Sequence, residues 1–293
     1  RRSYQHERNS IMAEIWKGSP VAKAISESLV ADVEELKAKG IEPTLAIVRV
    51  GERPDDLAYE RGAMKRAEKV GVKVVNEVFP EDISEEVFFK ELIRVNADPE
   101  VHGILMFQPL PKHIDGVKAR AMMDPAKDMD GCTTGSMAGV FTNTPIGYPP
   151  CTAQAAMEML HYYGAEIKGK KAAVIGRSLI IGRPVAMMLM HENATVVNCH
   201  TRTVDVPSIT READILIAAA GVLRSVKPEF TNPDQIVIDV GINWDEEAGS
   251  IAGDVDFEAV EPVVKAITPV PAGVGSVTTS VLMKHVVEAA KTK

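Results

Sequence analysis

Apolar and polar positions along this chain switch repeatedly between helical and extended periods. Ile25, Leu29, Val33 and Leu36 recur at helical spacing, and Lys39-Gly40 supplies a helix-ending signal. Thr44 to Val50 (TLAIVRV) then reads as a strand. The same alternation predicts helices over 55–70 and 84–96 and extended segments over 72–79 and 103–107. Two stretches rich in turn residues, 109–115 and 124–139, are expected to be loops. Asn143 to Pro150 (NTPIGYPP) carries three prolines in eight residues and is the clearest linker candidate. Beyond it the pattern restarts, with helices over 152–163, 182–191 and 276–290 and strands over 171–175, 194–199, 215–218, 236–240 and 265–267.

Short strands separated by helices pair in parallel through right-handed crossovers. The expected fold class is therefore α/β, with two α/β domains, the second a Rossmann-like doubly wound parallel sheet. Ligands in such sheets bind beyond the carboxyl ends of the strands, so the loops after Val50, Phe107 and Ile175 hold the first candidates.

Composition narrows the class without changing it. The 293 residues are 45% hydrophobic, 25% charged and 5% aromatic, which suits aliphatic cores of two ordinary domains. A net charge of −8, from 33 basic and 41 acidic residues, gives no general attraction to nucleic acid or an anionic membrane. No apolar run approaches the ~18 residues that span a bilayer. Arg1 to Ile11 is polar and resembles a vector-derived extension ahead of a natural start at Met12. Cys132, Cys151 and Cys199 are far apart and odd in number, so a reducing cytoplasm is expected and no metal site is.

The strand AAVIG runs into Gly176-Arg177-Ser178-Leu179-Ile180-Ile181-Gly182 and then a helix. Gly176 permits a tight turn, Gly182 permits close helix–strand packing, and the helix N-terminus offers N–H groups to phosphate. With two glycines this is a variant of the dinucleotide fingerprint. An acidic residue about 20 positions further on normally holds the ribose hydroxyl of NAD. Here the next strand ends in His200-Thr201-Arg202-Thr203, with no carboxylate before Asp205. Hydroxyl and cationic groups there suit a 2′-phosphate, which favours NADP over NAD.

Nine segments then occur in order: GILMFQPLPKHI, KDMDG, PCT, GRSLIIGRPVAMML, CHTRT, ADILIAAAG, VIDVGIN, GDVDF and TPVPAGVGSVTT. Together they resemble the methylenetetrahydrofolate dehydrogenase/cyclohydrolase family over essentially everything after Met12. The resemblance implies a homodimer of two-domain subunits with folate in the cleft between domains. It implies a folate-binding domain of residues 12–149 plus 274–293 and an NAD(P)-binding domain of 150–273. The family oxidises methylene-tetrahydrofolate to methenyl-tetrahydrofolate, and many members hydrolyse the product to formyl-tetrahydrofolate. By the same resemblance Gly176, Arg177, Ser178, Thr201 and Ile242 contact the cofactor, with Ile180, Gly182, His200, Arg202, Gly241 and Thr278 completing that set. Tyr59 and Asp130 contact folate, as does the loop of Pro271, Gly273 and Val274. Tyr59, Asp130 and Gln108 form the expected catalytic set.

Three positions depart from the family pattern. A tyrosine is normally followed four residues later by a lysine, on the same helix face, whereas this chain reads Tyr59-Glu60-Arg61-Gly62-Ala63. The usual Gln-Leu-Pro-Leu is Phe107-Gln108-Pro109-Leu110, which shifts the glutamine by one residue and turns it to the other side of an extended chain unless a kink restores it. Ala272 replaces a usual glycine. Hydride removal needs chiefly alignment and dryness, while hydrolysis needs a group that manages protons around water. The expectation is a dehydrogenase whose cyclohydrolase activity is lost or very low. A folate-binding relative without catalysis and a dehydrogenase of another small substrate, such as a shikimate-type hydroxyl, are the competing readings.

Overall fold

A computed structural model describes residues 12–292; the expected N-terminal extension, 1–11, lies outside the described residues. The described chain divides into two compact units, one of residues 19–158 with 276–292 and the other of residues 12–18 with 159–275.

In the first unit three parallel strands lie in the order Lys73–Phe79, Thr44–Val50, Gly103–Met106. All seven residues of the central strand are buried, as a strand covered on both faces requires, and its apolar run explains why. Helix Pro54–Val70 follows it, opened by Pro54 and closed by Gly71 in the left-handed region at φ 87°. Its buried positions, Asp56, Glu60, Ala63, Ala67 and Val70, keep the three-and-four spacing of one face. Helix Glu85–Ala97 is capped by the Ser84 hydroxyl, which accepts from Val87 N. Phe88, Leu92 and Val95 from that helix join Val48, Ile104 and Met106 in the core.

The segment Asn143–Pro150, expected as an interdomain linker, is packed inside this unit. Tyr148 N donates to Ser136 Oγ at 3.3 Å and Thr144 N to Gly139 O at 3.0 Å, so its prolines shape a loop against helix Thr134–Thr142. That helix occupies part of 124–139, which the turn-rich composition presents as loop; the Thr133 cap on Ser136 N starts it. The units divide between Glu158 and Met159, within helix Cys151–Tyr162.

The second unit holds a six-stranded, all-parallel sheet. Its order is Glu14–Ile15, Ala266–Ile267, Ile236–Asp239, Ile215–Ala218, Lys171–Ile175, Thr195–Cys199. The N-terminal strand Glu14–Ile15 is too short to announce itself by alternation, and it carries residues 12–18 into this unit rather than the first. A hairpin of Asn243–Asp245 and Ser250–Ala252 also escapes the periodicity, each strand being only three residues long. Among the described residues no helix is long and apolar enough to cross a membrane, and no cluster of three or more His, Cys, Asp or Glu could hold a metal ion.

Candidate active site

In the first unit the side chains of interest sit at strand ends. Helix Pro54–Val70, which begins four residues after the central strand, carries Tyr59, and its neighbour Glu60 fixes the helix to that strand. Arg49 Nε donates to Glu60 Oε2 at 2.6 Å and Arg49 Nη1 to Gly51 O at 2.6 Å, both side chains of the ion pair being nearly covered. Burial raises the Tyr59 phenol well above its ordinary pKa, and Cys151 and Asp130 are near enough to raise it further. Tyr59 is therefore a neutral hydroxyl that can donate or accept.

Asp130 follows the strand Gly103–Met106 side of the sheet through the loop 128–133. Its Oδ1 accepts from Cys151 N at 2.9 Å. Burial pushes its carboxyl up, against the opposing pull of the Cys151 hydrogen bonds. The preceding aspartate is structural: Asp128 accepts from Cys132 N at 3.1 Å and Thr133 N at 2.8 Å.

Gln108 is not brought to Tyr59. Its Oε1 accepts from Arg120 Nη1 at 2.8 Å, and the ring against Tyr59 is that of Phe107, edge-on with centroids 5.8 Å apart. The strand ends at Met106, and the chain bends at Gln108 and Pro109 with a cis peptide bond between them. Gln108, expected in the catalytic set, is held here by Arg120. Ala63, where a lysine was expected from the family pattern, is fully buried and contributes only a methyl group.

In the second unit the expected cofactor residues converge at the carboxyl ends of adjacent strands. A Cβ at Gly182 would collide with the Gly176 carbonyl and Arg177 N, so only glycine lets the helix Gly182–His191 approach this closely. Ser178 Oγ accepts from Ile181 N at 3.0 Å and shapes the turn between them. After the edge strand Thr195–Cys199, His200 Nδ1 accepts from Arg202 N at 3.1 Å and Thr203 Oγ1 accepts from His200 N at 2.9 Å, a compact turn bearing Thr201. Arg177, Thr201 and Arg202 are exposed, and neither arginine is held by an ion pair among the described residues. Ile180, Val222 and Ile242 stand 60%, 55% and 63% exposed after three adjacent strands, an apolar rim at the carboxyl ends of the sheet.

Two buried carboxylates, which sequence reasoning did not single out, build this rim. Asp254 accepts from Ala220 N at 2.7 Å, Gly221 N at 3.0 Å, Val222 N at 3.0 Å and Asn243 Nδ2 at 2.9 Å. Asp239 accepts from Gly241 N, Asp254 N and Val255 N at 3.0, 3.1 and 3.0 Å. Burial pushes Asp239 up to about 7. The segments VIDVGIN and GDVDF contain both; an aspartate between a strand end and a glycine was the available signal.

The remaining expected residues are placed as follows. Pro271, Gly273 and Val274 fall in the second unit, and Ala272 sits in the left-handed region at φ 77°. Thr278, expected at the cofactor, opens the last helix and belongs to the first unit.

Known proteins match this chain along nearly all its length. Residues 16–130 match the tetrahydrofolate dehydrogenase/cyclohydrolase catalytic domain, and residues 150–293 match the NAD(P)-binding domain of the same family. The bifunctional protein FolD of Carboxydothermus hydrogenoformans is 53% identical over 95% of this chain and 97% of its own length. Among solved structures, the bifunctional FolD methylenetetrahydrofolate dehydrogenase/cyclohydrolase of Campylobacter jejuni aligns with TM-score 0.92 and 37% identity, covering 96% of this chain and 99% of that one. The Trypanosoma brucei enzyme, solved with NADP cofactor and inhibitor, aligns with TM-score 0.90 and 36% identity over 96% of this chain and 98% of its own.

Proposed function

Because this chain belongs to the tetrahydrofolate dehydrogenase/cyclohydrolase family, we propose that it oxidises 5,10-methylenetetrahydrofolate to 5,10-methenyltetrahydrofolate with NADP. The observation that carries the reading is the rim of the six-stranded sheet: a glycine-tight turn, exposed Ile180, Val222 and Ile242, and Arg177 and Arg202, which have no ion pair among the described residues. These groups fit a dinucleotide whose ribose bears a 2′-phosphate, since apolar surface suits the ring and guanidinium groups suit the phosphate. NADP, when bound, supplies the acceptor for the hydride that leaves the methylene carbon. The chain's own task is to bind, align and exclude water.

On the folate side we assign Tyr59 and Asp130. The pterin's amino-pyrimidine edge offers N–H donors to an Asp130 carboxylate that burial otherwise disfavours, so binding and ionisation reinforce one another. Tyr59 offers a ring face and a neutral hydroxyl. Pro271, Gly273 and Val274 are assigned to folate, and Gly176, Ser178, Gly182, His200, Thr201, Gly241 and Thr278 to the cofactor, on the family motifs they match. A homodimer in the cytoplasm is proposed on the same resemblance, and sedimentation at micromolar concentration tests the dimer.

Hydrolysis of methenyltetrahydrofolate is the finer question. Relatives named bifunctional favour both reactions, so a fully bifunctional enzyme is the reading the comparisons support. This chain's own residues support slow hydrolysis. At positions 63 and 107 it has a buried methyl group and a phenyl ring against Tyr59, neither of which can move a proton. Adding methylenetetrahydrofolate and NADP and following NADPH at 340 nm tests the oxidation; absence of NADPH formation would count against it and leave the folate-binding reading.

A further inference from the structure

His285 lies on the inner face of the last helix, Thr278–Lys291, and is 1% exposed among Met283, Val286 and Val287. Both ring nitrogens are held. Nδ1 lies 2.7 Å from the Met129 carbonyl, and Nε2 lies 2.6 Å from Gln154 Oε1. A backbone carbonyl only accepts, whereas a side-chain amide can turn either its oxygen or its N–H to the ring, so in the neutral ring Nδ1 carries the proton. Burial pushes the imidazole down to about 4, which leaves the ring neutral at physiological pH. The Gln154 amide reaches Glu158, which pairs with Lys284 on the same helix as His285. Tyr148 closes over the ring with centroids 4.9 Å apart.

The other end of this contact is equally fixed. Met129 is fully buried, and a Cβ at Gly103 would strike its side chain, so the pair fit as knob and notch. The same carbonyl takes a second donor, Cys151 Sγ at 3.2 Å, while Cys151 N donates to Asp130 Oδ1. That carbonyl belongs to the peptide joining Met129 to Asp130. A donor upon it sets the peptide plane from which the Asp130 side chain departs.

We propose that His285 is a positioning residue: through the Met129 carbonyl, the last helix holds Asp130 at the orientation in which it receives folate. The inference rests on the folate reading of Asp130 given above. It separates His285 from an ordinary core residue, since a core role requires only bulk, whereas positioning requires a donor at Nδ1. Asparagine places an N–H group near that atom and leucine places none.

The test compares H285L and H285N in the full-length protein. For H285L the KM for methylenetetrahydrofolate is expected to rise on the order of tenfold, because the Met129 carbonyl keeps only the weak thiol donor of Cys151 and loses the one that sets its plane, with the KM for NADP unchanged. H285N is expected to stay within about twofold of the parent. Equal impairment of both variants, an unchanged folate KM in H285L, or a parallel rise in the NADP KM would overturn the proposal. If the parent chain forms no NADPH, the oxidation reading fails separately, and calorimetry with tetrahydrofolate reads the same contrast as affinity. Should H285L not fold, 15N NMR of the parent decides: a neutral ring protonated on Nδ1 supports the clamp, and a ring protonated on Nε2 alone contradicts it.

Discussion

Phe107 stands edge-on to Tyr59, ring centroids 5.8 Å apart and planes at 85°, in the place the family pattern reserves for a glutamine. Such a pair is worth roughly 0.5–1.5 kcal/mol beyond its area, and it gives one side of Tyr59 an apolar neighbour. With Ala63 buried beneath the same helix, the surroundings favour alignment over proton transfer to water. The double variant Ala63→Lys/Phe107→Gln is therefore expected to raise methenyltetrahydrofolate hydrolysis above the parent, while Ala63→Lys alone gains little. Adding a lysine at a fully covered position should also lower stability by about 1–3 kcal/mol. Loss of absorbance of the methenyl form at 350 nm measures the first effect, and urea unfolding the second.

Arg202 is exposed, free of ion pairs among the described residues, and placed where NAD enzymes present a carboxylate. In Arg202→Ala the kcat/KM for NADP is expected to fall on the order of tenfold or more, with little change for NAD. Equal losses with the two cofactors would remove Arg202 from 2′-phosphate recognition.

Asp254 gathers three consecutive backbone N–H groups at the end of one strand and an asparagine side chain from the next. Replacing it by alanine strands those donors, and each buried donor left unmade costs about 1–3 kcal/mol. Asp254→Ala should therefore raise the KM for NADP by at least about tenfold and lower Tm, whereas the folate KM should move less. Initial rates with each substrate varied in turn make the distinction.

The buried His285 makes stability depend on pH with a definite sign. Its folded pKa, about 4, lies below the ordinary 6.5, so the unfolded chain binds the proton more readily. The associated stability is present above pH 6.5 and is lost as pH falls toward 4. Between those limits the parent should lose on the order of 3 kcal/mol that H285N does not lose. Urea titrations at pH 7 and pH 4.5 measure the difference of slopes.

Ala272 adopts φ 77°, a conformation in which an L side chain is disfavoured by about 1 kcal/mol and glycine is not. Its carbonyl accepts from Gly18 N at 2.9 Å, so the conformation is held from outside the loop. Ala272→Gly should leave folding intact and stabilise the protein by roughly 0.5–1 kcal/mol, read as a small rise in Tm.

The regular elements were legible wherever several apolar residues repeat, as in Thr44–Val50, Gly182–His191 and Ile215–Ala218. The strand Glu14–Ile15 and the hairpin around Trp244 were not, because two or three residues are too few for a period and their pairing is decided by distant partners. The prolines of Asn143–Pro150 signalled a loop; the compact units divide further on, between Glu158 and Met159, while the family's NAD(P)-binding domain begins at residue 150. At the site, glycines and arginines were readable because a tight turn or a fixed charge has few substitutes. Asp239, Asp254 and His285 act by accepting or donating to backbone groups far along the chain, a role that leaves no local pattern. The side to which Gln108 turns was not legible, because it depends on the bend and cis peptide at Gln108–Pro109.

The most direct test measures both reactions on one preparation: NADPH formation from methylenetetrahydrofolate, and hydrolysis of methenyltetrahydrofolate above the buffer rate. The expected result is clear oxidation that prefers NADP to NAD, with hydrolysis at least about tenfold slower than oxidation. Hydrolysis as fast as oxidation would contradict the part assigned to Ala63 and Phe107, and no NADPH at all would contradict the dehydrogenase itself.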